Sequence, residues 1–322
     1  MRRTLLLACA MLICASCLAT GLASCGGQKS KKGDQNPAGT EPAAYVIPDI
    51  PAMLTDPAEV ARWGAEHYWD NFSFADTLSV AGWSAYAEQA FVDFDYQLLA
   101  NVPIELGTDA ISTLFRRASE SKIVFMKFAE VAEKYLFDPN SPYRNEDLYI
   151  AALNAVLANP ALDEWERIRP QEQLRLALKN RVGDLAADFR YTLESGASGN
   201  MRDLRADYTM LFFNNPGCPS CRDMMDQISA SPFLVRLIEE GTLQVLAVYT
   251  DEDLAAWRDY LPQMPEGWVN TYDATGTIKS GELYDLKAIP TIYLLDGSKR
   301  VILKDVMSIA LIEQAIDNAQ KQ

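Results

Sequence analysis

The sequence predicts an all-α domain followed by an α/β domain whose central mixed sheet is covered by helices, and three observations carry that expectation. Every strong signal over residues 56–181 has helical periodicity, and no stretch there alternates convincingly with period two. From about Gly183 the pattern changes to short apolar runs separated by turns and helices, which implies a sheet with helices on its faces. The length agrees, because 322 residues exceed one usual compact domain.

Residues 1–24 read as an export leader: Arg2 and Arg3 precede an apolar run from Leu5 to Ile13, and small residues then lead to Cys25. Ser16, Thr20 and Gly21 interrupt the stretch, leaving it short for a membrane span. Leu22-Ala23-Ser24-Cys25 resembles the bacterial lipobox, which implies cleavage before Cys25 and attachment of that cysteine to the lipid bilayer. A rival cut before Cys17 would put Cys14 where that pattern has an aliphatic residue. Residues 25–50 form a tether, rich to about Ala44 in Gly, Lys, Ser, Gln, Asn and Pro.

The helical domain is assigned to residues 51–181. Asp56-Pro57 supplies a cap and a first-turn proline for a helix carrying Val60, Trp63, His67 and Trp69. Further helices are expected over 85–99, 108–136, 146–157 and 171–182, punctuated by Asn159-Pro160 and Arg169-Pro170 because proline cannot continue a preceding helix. His67 sits in an aromatic cluster with Trp63, Tyr68, Trp69 and Phe72, a composition that reads as core.

The second domain takes residues 182–322. Buried strands are expected over 208–214 and 243–249, then a helix over 251–260 that Thr250 and Asp253 could cap. After a turn at 273–276 come a short helix, a strand over 291–295, a turn at Asp296-Gly297, a strand over 301–304 and a final amphipathic helix.

Composition narrows the function. With 49% hydrophobic and 23% charged residues the chain is globular, and a net charge of -15 argues against nucleic acid as a partner. Loss of the leader removes Cys9, Cys14 and Cys17, and acylation consumes Cys25, so Cys218 and Cys221 alone remain. A structural zinc site wants four ligands, and the mature chain offers no second cysteine pair and one distant histidine; the expected metal is none, and no organic cofactor is implied. One histidine with no partnered nucleophile gives no support to histidine-dependent protease chemistry.

Asn215-Pro216-Gly217-Cys218-Pro219-Ser220-Cys221-Arg222 follows a buried strand and opens a helix. Two cysteines at that spacing can close a small disulfide, and the first thiol sits where unpaired amide donors favour a thiolate. Cys218 is therefore the candidate nucleophile, and Cys221, one turn inward, the candidate resolving thiol. Far downstream, Ile289-Pro290-Thr291 immediately precedes a strand.

Together these two motifs resemble the thioredoxin superfamily, and the resemblance implies a thioredoxin-like fold for the second domain. It also implies that Pro290 is a cis-proline and that Ile289, Pro290 and Thr291 offer backbone to bound peptide. Val182-Gly183, Ala187-Asp188-Phe189 and Leu204 look like the leading segment of membrane-anchored thioredoxin-like reductases of the cytochrome-maturation type, which extends the match over roughly residues 182–320. The segment from His67 to Phe72 is similar to an uncharacterised domain that precedes thioredoxin-like modules in lipoproteins of the Bacteroidota.

Three departures stand against that pattern: Gly217 replaces the usual tryptophan, Phe212 the buried aspartate, and Met224 the glutamate of the anchored reductases. Asp223 is near in sequence but turned to the opposite side of an ideal helix. The resemblance implies a periplasm-facing lipoprotein that acts as a thiol-disulfide oxidoreductase on protein cysteine pairs, with electrons from a membrane thiol partner. The alternative is a non-enzymatic interaction protein of the cell envelope in which the pair is only a staple.

Overall fold

The computed structural model describes residues 45–75 and 83–321. The leader, Cys25 and the tether up to residue 44 lie outside the described residues.

The first half is helical: α1 (Pro57–His67), α2 (Trp83–Gln97), α3 (Ile104–Ala118), α4 (Lys122–Ala132), α5 (Glu146–Ala158) and α6 (Glu164–Ala177). Asp56 caps α1, its carboxylate accepting from the N–H groups of Ala58 at 2.9 Å and Glu59 at 3.1 Å. The aromatic segment after α1 forms a 3₁₀ turn that buries Tyr68 and Trp69. Trp69 meets Phe94, Phe72 and Phe128 at ring separations of 5.2 Å, which places the centre of this core. His67 stays at the surface, stacked on Trp63 at 4.8 Å and bonded to Asp70 at 2.8 Å.

Two helix expectations are corrected. Residues 108–136 hold the end of α3 and all of α4, because α3 stops at Ala118, where the Ser119 hydroxyl donates to the Arg116 carbonyl at 2.6 Å. A π turn, Glu133–Phe137, then extends α4. The last helix of this half begins at Glu164 and ends at Ala177, so it does not span 171–182. Asp163 and Glu166 form a reciprocal capping box that starts it early, and Pro170 sits inside it. The helical conformation is gone by Asn180, whose φ of 49° is left-handed.

The second half contains β1 (Arg190–Leu193), β2 (Ser198–Asn200), β3 (Tyr208–Phe213), α7 (Pro219–Ala230), α8 (Pro232–Glu239), β4 (Leu243–Tyr249), α9 (Leu254–Tyr260), β5 (Val269–Tyr272), α10 (Thr277–Ser280), β6 (Thr291–Asp296), β7 (Val301–Leu303) and α11 (Ile309–Gln320). The sheet order is β2-β1-β5-β4-β3-β6-β7. β3 runs parallel to β4 and β4 parallel to β5, while β6 runs antiparallel to β3, so the sheet is mixed as expected.

Alternation along the central strands builds a core on each face. Met210 and Phe212, with Val245, Ala247, Ile292 and Leu294, pack under Cys221, Met224, Met225 and Ile228 of α7 and under Ile312 and Ile316 of α11. Leu211 and Phe213, with Leu246, Val248, Tyr293 and Leu295, face Phe189, Ile278 and Tyr284 on the other side. The strands missing from the sequence reading, β1, β2 and β5, are short and carry few fully buried residues, so no apolar run marks them. Helix α8 follows α7 after Ser231 alone, whose hydroxyl accepts from the Leu234 N–H at 3.0 Å. Helix α9 begins at Leu254, and its cap is Asp253, not Thr250.

Candidate functional site

Strand β3 lies between β4 and β6 in the interior of the sheet, and after its last residue the segment 214–217 turns the chain into α7. The turn needs glycine at 217, where φ is 74° and a side chain would be held in left-handed backbone at a cost of about 1 kcal/mol. A tryptophan, as in the thioredoxin pattern, would carry that strain in this turn.

Cys218 is the N-cap of α7, and its sulfur accepts the Cys221 backbone N–H at 3.2 Å. That is the place a serine or aspartate oxygen usually takes, and the amide can bond a thiolate there as well as a thiol. Pro219 occupies the first turn, where its missing donor is not needed. The Cys218 thiol also donates to the Ile289 carbonyl at 3.6 Å.

Cys221 is fully buried and Cys218 half-buried, and neither is in a disulfide. Burial, reinforced by the hydrogen bond with Cys218, pushes the Cys221 thiol up to about 12. The pair is thus asymmetric: one sulfur reaches the surface at a helix start and the other waits in the core.

The structure brings Cys218, Cys221 and Ile289 together, with Pro290 and Thr291 next in the chain. The Ile289–Pro290 peptide is cis. Thr291 is buried at the start of β6, and its hydroxyl donates to the Ala288 carbonyl at 2.6 Å. Phe212 and Met224, at the places of the family's acidic residues, are both buried in the apolar core, and Asp223 is exposed. Trp257 and Trp268 are also core residues, the latter 5.3 Å from Phe212.

Sequence reasoning gave no role at the site to four residues: Tyr260, Asn215, Asp251 and Lys279. The Tyr260 hydroxyl is buried without a hydrogen-bond partner among the described residues, in the same core as Cys221, and nothing in the spacing of α9 marks it. Asn215, two residues before Gly217, donates to Asp251 at 2.7 Å, and Asp251 also pairs with Lys279. These contacts tie the redox turn to the loop after β4 and to α10.

Among the described residues, no group of three or more His, Cys, Asp and Glu side chains could hold a metal ion, and no helix is long and apolar enough to cross a membrane.

A family described as thioredoxin-like matches residues 206–301, and a domain of unknown function, DUF5106, matches residues 24–180. No curated protein matches the chain. A thioredoxin-like protein from Bacteroides caccae is 44% identical, with a TM-score of 0.82 over 85% of this chain and 98% of that one. The C-terminal domain of an uncharacterized protein from Bacteroides fragilis is 43% identical over 43% of this chain and 98% of that one, with a TM-score of 0.42. The thioredoxin domain of a thiol-disulfide oxidoreductase from Bacteroides vulgatus is 18% identical over 44% of this chain and 96% of that one, with a TM-score of 0.37.

Proposed function

This chain belongs to the thioredoxin-like proteins, with a thioredoxin-like domain in its C-terminal half, and from that premise we propose that Cys218 and Cys221 are the working dithiol of a thiol-disulfide oxidoreductase acting on protein cysteine pairs. The observation that carries this reading is the asymmetry of the pair: Cys218 sulfur accepts an amide at the start of α7 while Cys221 is shut inside.

The exchange has two steps. The Cys218 thiolate attacks one sulfur of a substrate disulfide, forming a mixed disulfide and releasing the other substrate sulfur as thiolate. Cys221, deprotonated, then attacks the Cys218 sulfur, and the second substrate thiolate leaves. The substrate gains two electrons and two protons, and the Cys218–Cys221 pair becomes a disulfide. A partner dithiol on or in the membrane restores it. Ile289, Pro290 and Thr291 mark the loop along which the substrate segment lies.

The protein acts at the cell envelope, held to the bilayer by acylation of Cys25 and facing the periplasm. The residues behind that part of the reading are Leu22 to Cys25 and the polar tether that follows. Replacing Cys25 with serine is expected to move the protein from the membrane fraction to the soluble one.

The test is insulin-disulfide reduction with dithiothreitol as electron source, comparing wild type with Cys218→Ser. Loss of the catalysed rate in the variant supports the proposal, and equal rates overturn it.

A further inference from the structure

Residues 281–290 join α10 to β6 without helix or strand, yet they set the Ile289 carbonyl against the Cys218 thiol. Tyr284 packs into the core of the second half beside Phe213 and Tyr293, and further contacts to this segment come from the helical half. Arg175 pairs with the Glu282 carboxylate, and the Lys179 ammonium donates to the Glu282 carbonyl. These contacts are exposed, and exposed pairs contribute little.

Two other contacts are better shielded. Asn180, 7% exposed, donates its amide to the Leu283 carbonyl at 2.8 Å and accepts the Ala187 N–H at 2.8 Å. The Tyr284 hydroxyl donates to the Ala187 carbonyl at 2.6 Å, closing a small ring of bonds around Asn180. Three residues after Tyr284, the Lys287 ammonium lies 4.6 Å from the centre of the Phe137 ring and bonds the buried Asp285 at 2.6 Å. Lys287 is also 3.7 Å from Asp305, which Arg144 of the helical half holds at 2.8 Å.

We propose that the helical half positions the loop that faces the redox pair: Asn180 and Phe137 hold residues 282–288 and thereby keep the Ile289 carbonyl at Cys218. The catalytic consequence rests on the thiol-disulfide reading above, whereas the mechanical claim does not. Loosening the loop removes a surface along which a protein substrate aligns, while the Cys218 sulfur keeps the Cys221 N–H at the start of α7. Asn180, Phe137 and Arg144 are positioning residues in this scheme.

The test uses the full chain with Asn180→Asp and, separately, Phe137→Leu. Aspartate tolerates the left-handed backbone and keeps the acceptor for Ala187, but it loses the donor to Leu283. Leucine keeps an apolar side chain and removes the ring face. Hydrogen exchange of the amides between residues 282 and 289 is expected to accelerate by about tenfold or more in each variant, with β3 and β4 unchanged. The KM for insulin should rise severalfold while kcat and the rate with a small aromatic disulfide change by less than about twofold.

Wild-type loop exchange in folded variants would overturn the proposal, and so would parallel losses with insulin and the small disulfide. If Asn180→Asp does not fold, Phe137→Leu decides. If the wild type fails to reduce insulin, the oxidoreductase reading falls, and loop exchange alone decides the positioning role.

Discussion

The Cys218 thiol donates to the Ile289 carbonyl at 3.6 Å across 71 residues of sequence, and the same sulfur accepts the Cys221 N–H at 3.2 Å. A thiol can use both partners, but a thiolate keeps only the amide, because it has no proton to give the carbonyl. Ionisation of Cys218 therefore frees the Ile289 oxygen, which is then available to an N–H of an extended substrate segment. Nucleophile and loop are coupled through one proton.

Trapping follows from the roles of the two sulfurs. Cys221→Ser keeps the attacking sulfur and lacks the one that resolves it, so mixed disulfides with protein substrates are expected to accumulate. Cys218→Ser should yield none. Non-reducing electrophoresis with mass spectrometry of the adducts reads the difference, and equal adduct levels in the two variants would remove the assignment.

The buried sulfur predicts a pH limb. Burial, with the hydrogen bond to Cys218 second, raises Cys221 from an ordinary value of 9.0 to about 12 in the folded dithiol form. A folded value above the unfolded one means that the contribution to stability is complete below pH 9 and is lost as pH rises through about 12. Other groups titrate there too, so the quantity to measure is the difference in unfolding free energy between the reduced wild type and Cys221→Ala. That difference should fall by up to about 1.4 kcal/mol per pH unit above pH 9, and a flat difference would contradict the burial argument.

The legible parts of this molecule were those that local pattern encodes. Strands β3, β4 and β6 stand out because both faces are buried and nearly every residue is apolar. The Cys218–Cys221 spacing after β3 and Pro290 before β6 therefore had an anchor at each end. Strands β1, β2 and β5 were invisible because they bury too little to leave an apolar run. Pro170 misled because a capping box at Asp163 outweighs it. The link from Asn180 to Leu283 was beyond reach, since it joins two irregular segments about a hundred residues apart, and only the folded chain brings them together.

Lys304 is expected to hold the two halves together. Its side chain is 7% exposed and bonds Glu146 at 2.8 Å, the Ala177 carbonyl at 2.9 Å and the Lys179 carbonyl at 2.7 Å. Burial raises the Glu146 carboxyl even though Lys304 opposes the shift, so the charge is already expensive where it stands. Lys304→Met leaves that carboxylate and two carbonyls without the ammonium, and about 3 kcal/mol of destabilisation is expected at pH 8. Since protonation of Glu146 relieves the unpaired charge, the deficit should shrink at pH 5. The double variant with Glu146→Gln should regain part of the loss, and urea unfolding of both proteins checks it.

Asp95 gives the sharpest stability test in the helical half. It lies on α2 beside the buried Phe94 and is itself 5% exposed, and burial raises its carboxyl to about 7. The folded value exceeds the unfolded one, so the contribution to stability is complete below the ordinary value of 3.8 and is lost as pH rises through about 7. A shift of about three units corresponds to about 4 kcal/mol, which is an upper figure for the cost of the buried carboxylate at pH 8. Asparagine has nearly the same shape and never ionises. Asp95→Asn should therefore be more stable than wild type by about 2–4 kcal/mol at pH 8 and close to it at pH 4. Urea midpoints at the two pH values measure this directly, and a stability difference that ignores pH would show that Asp95 is not a buried charge.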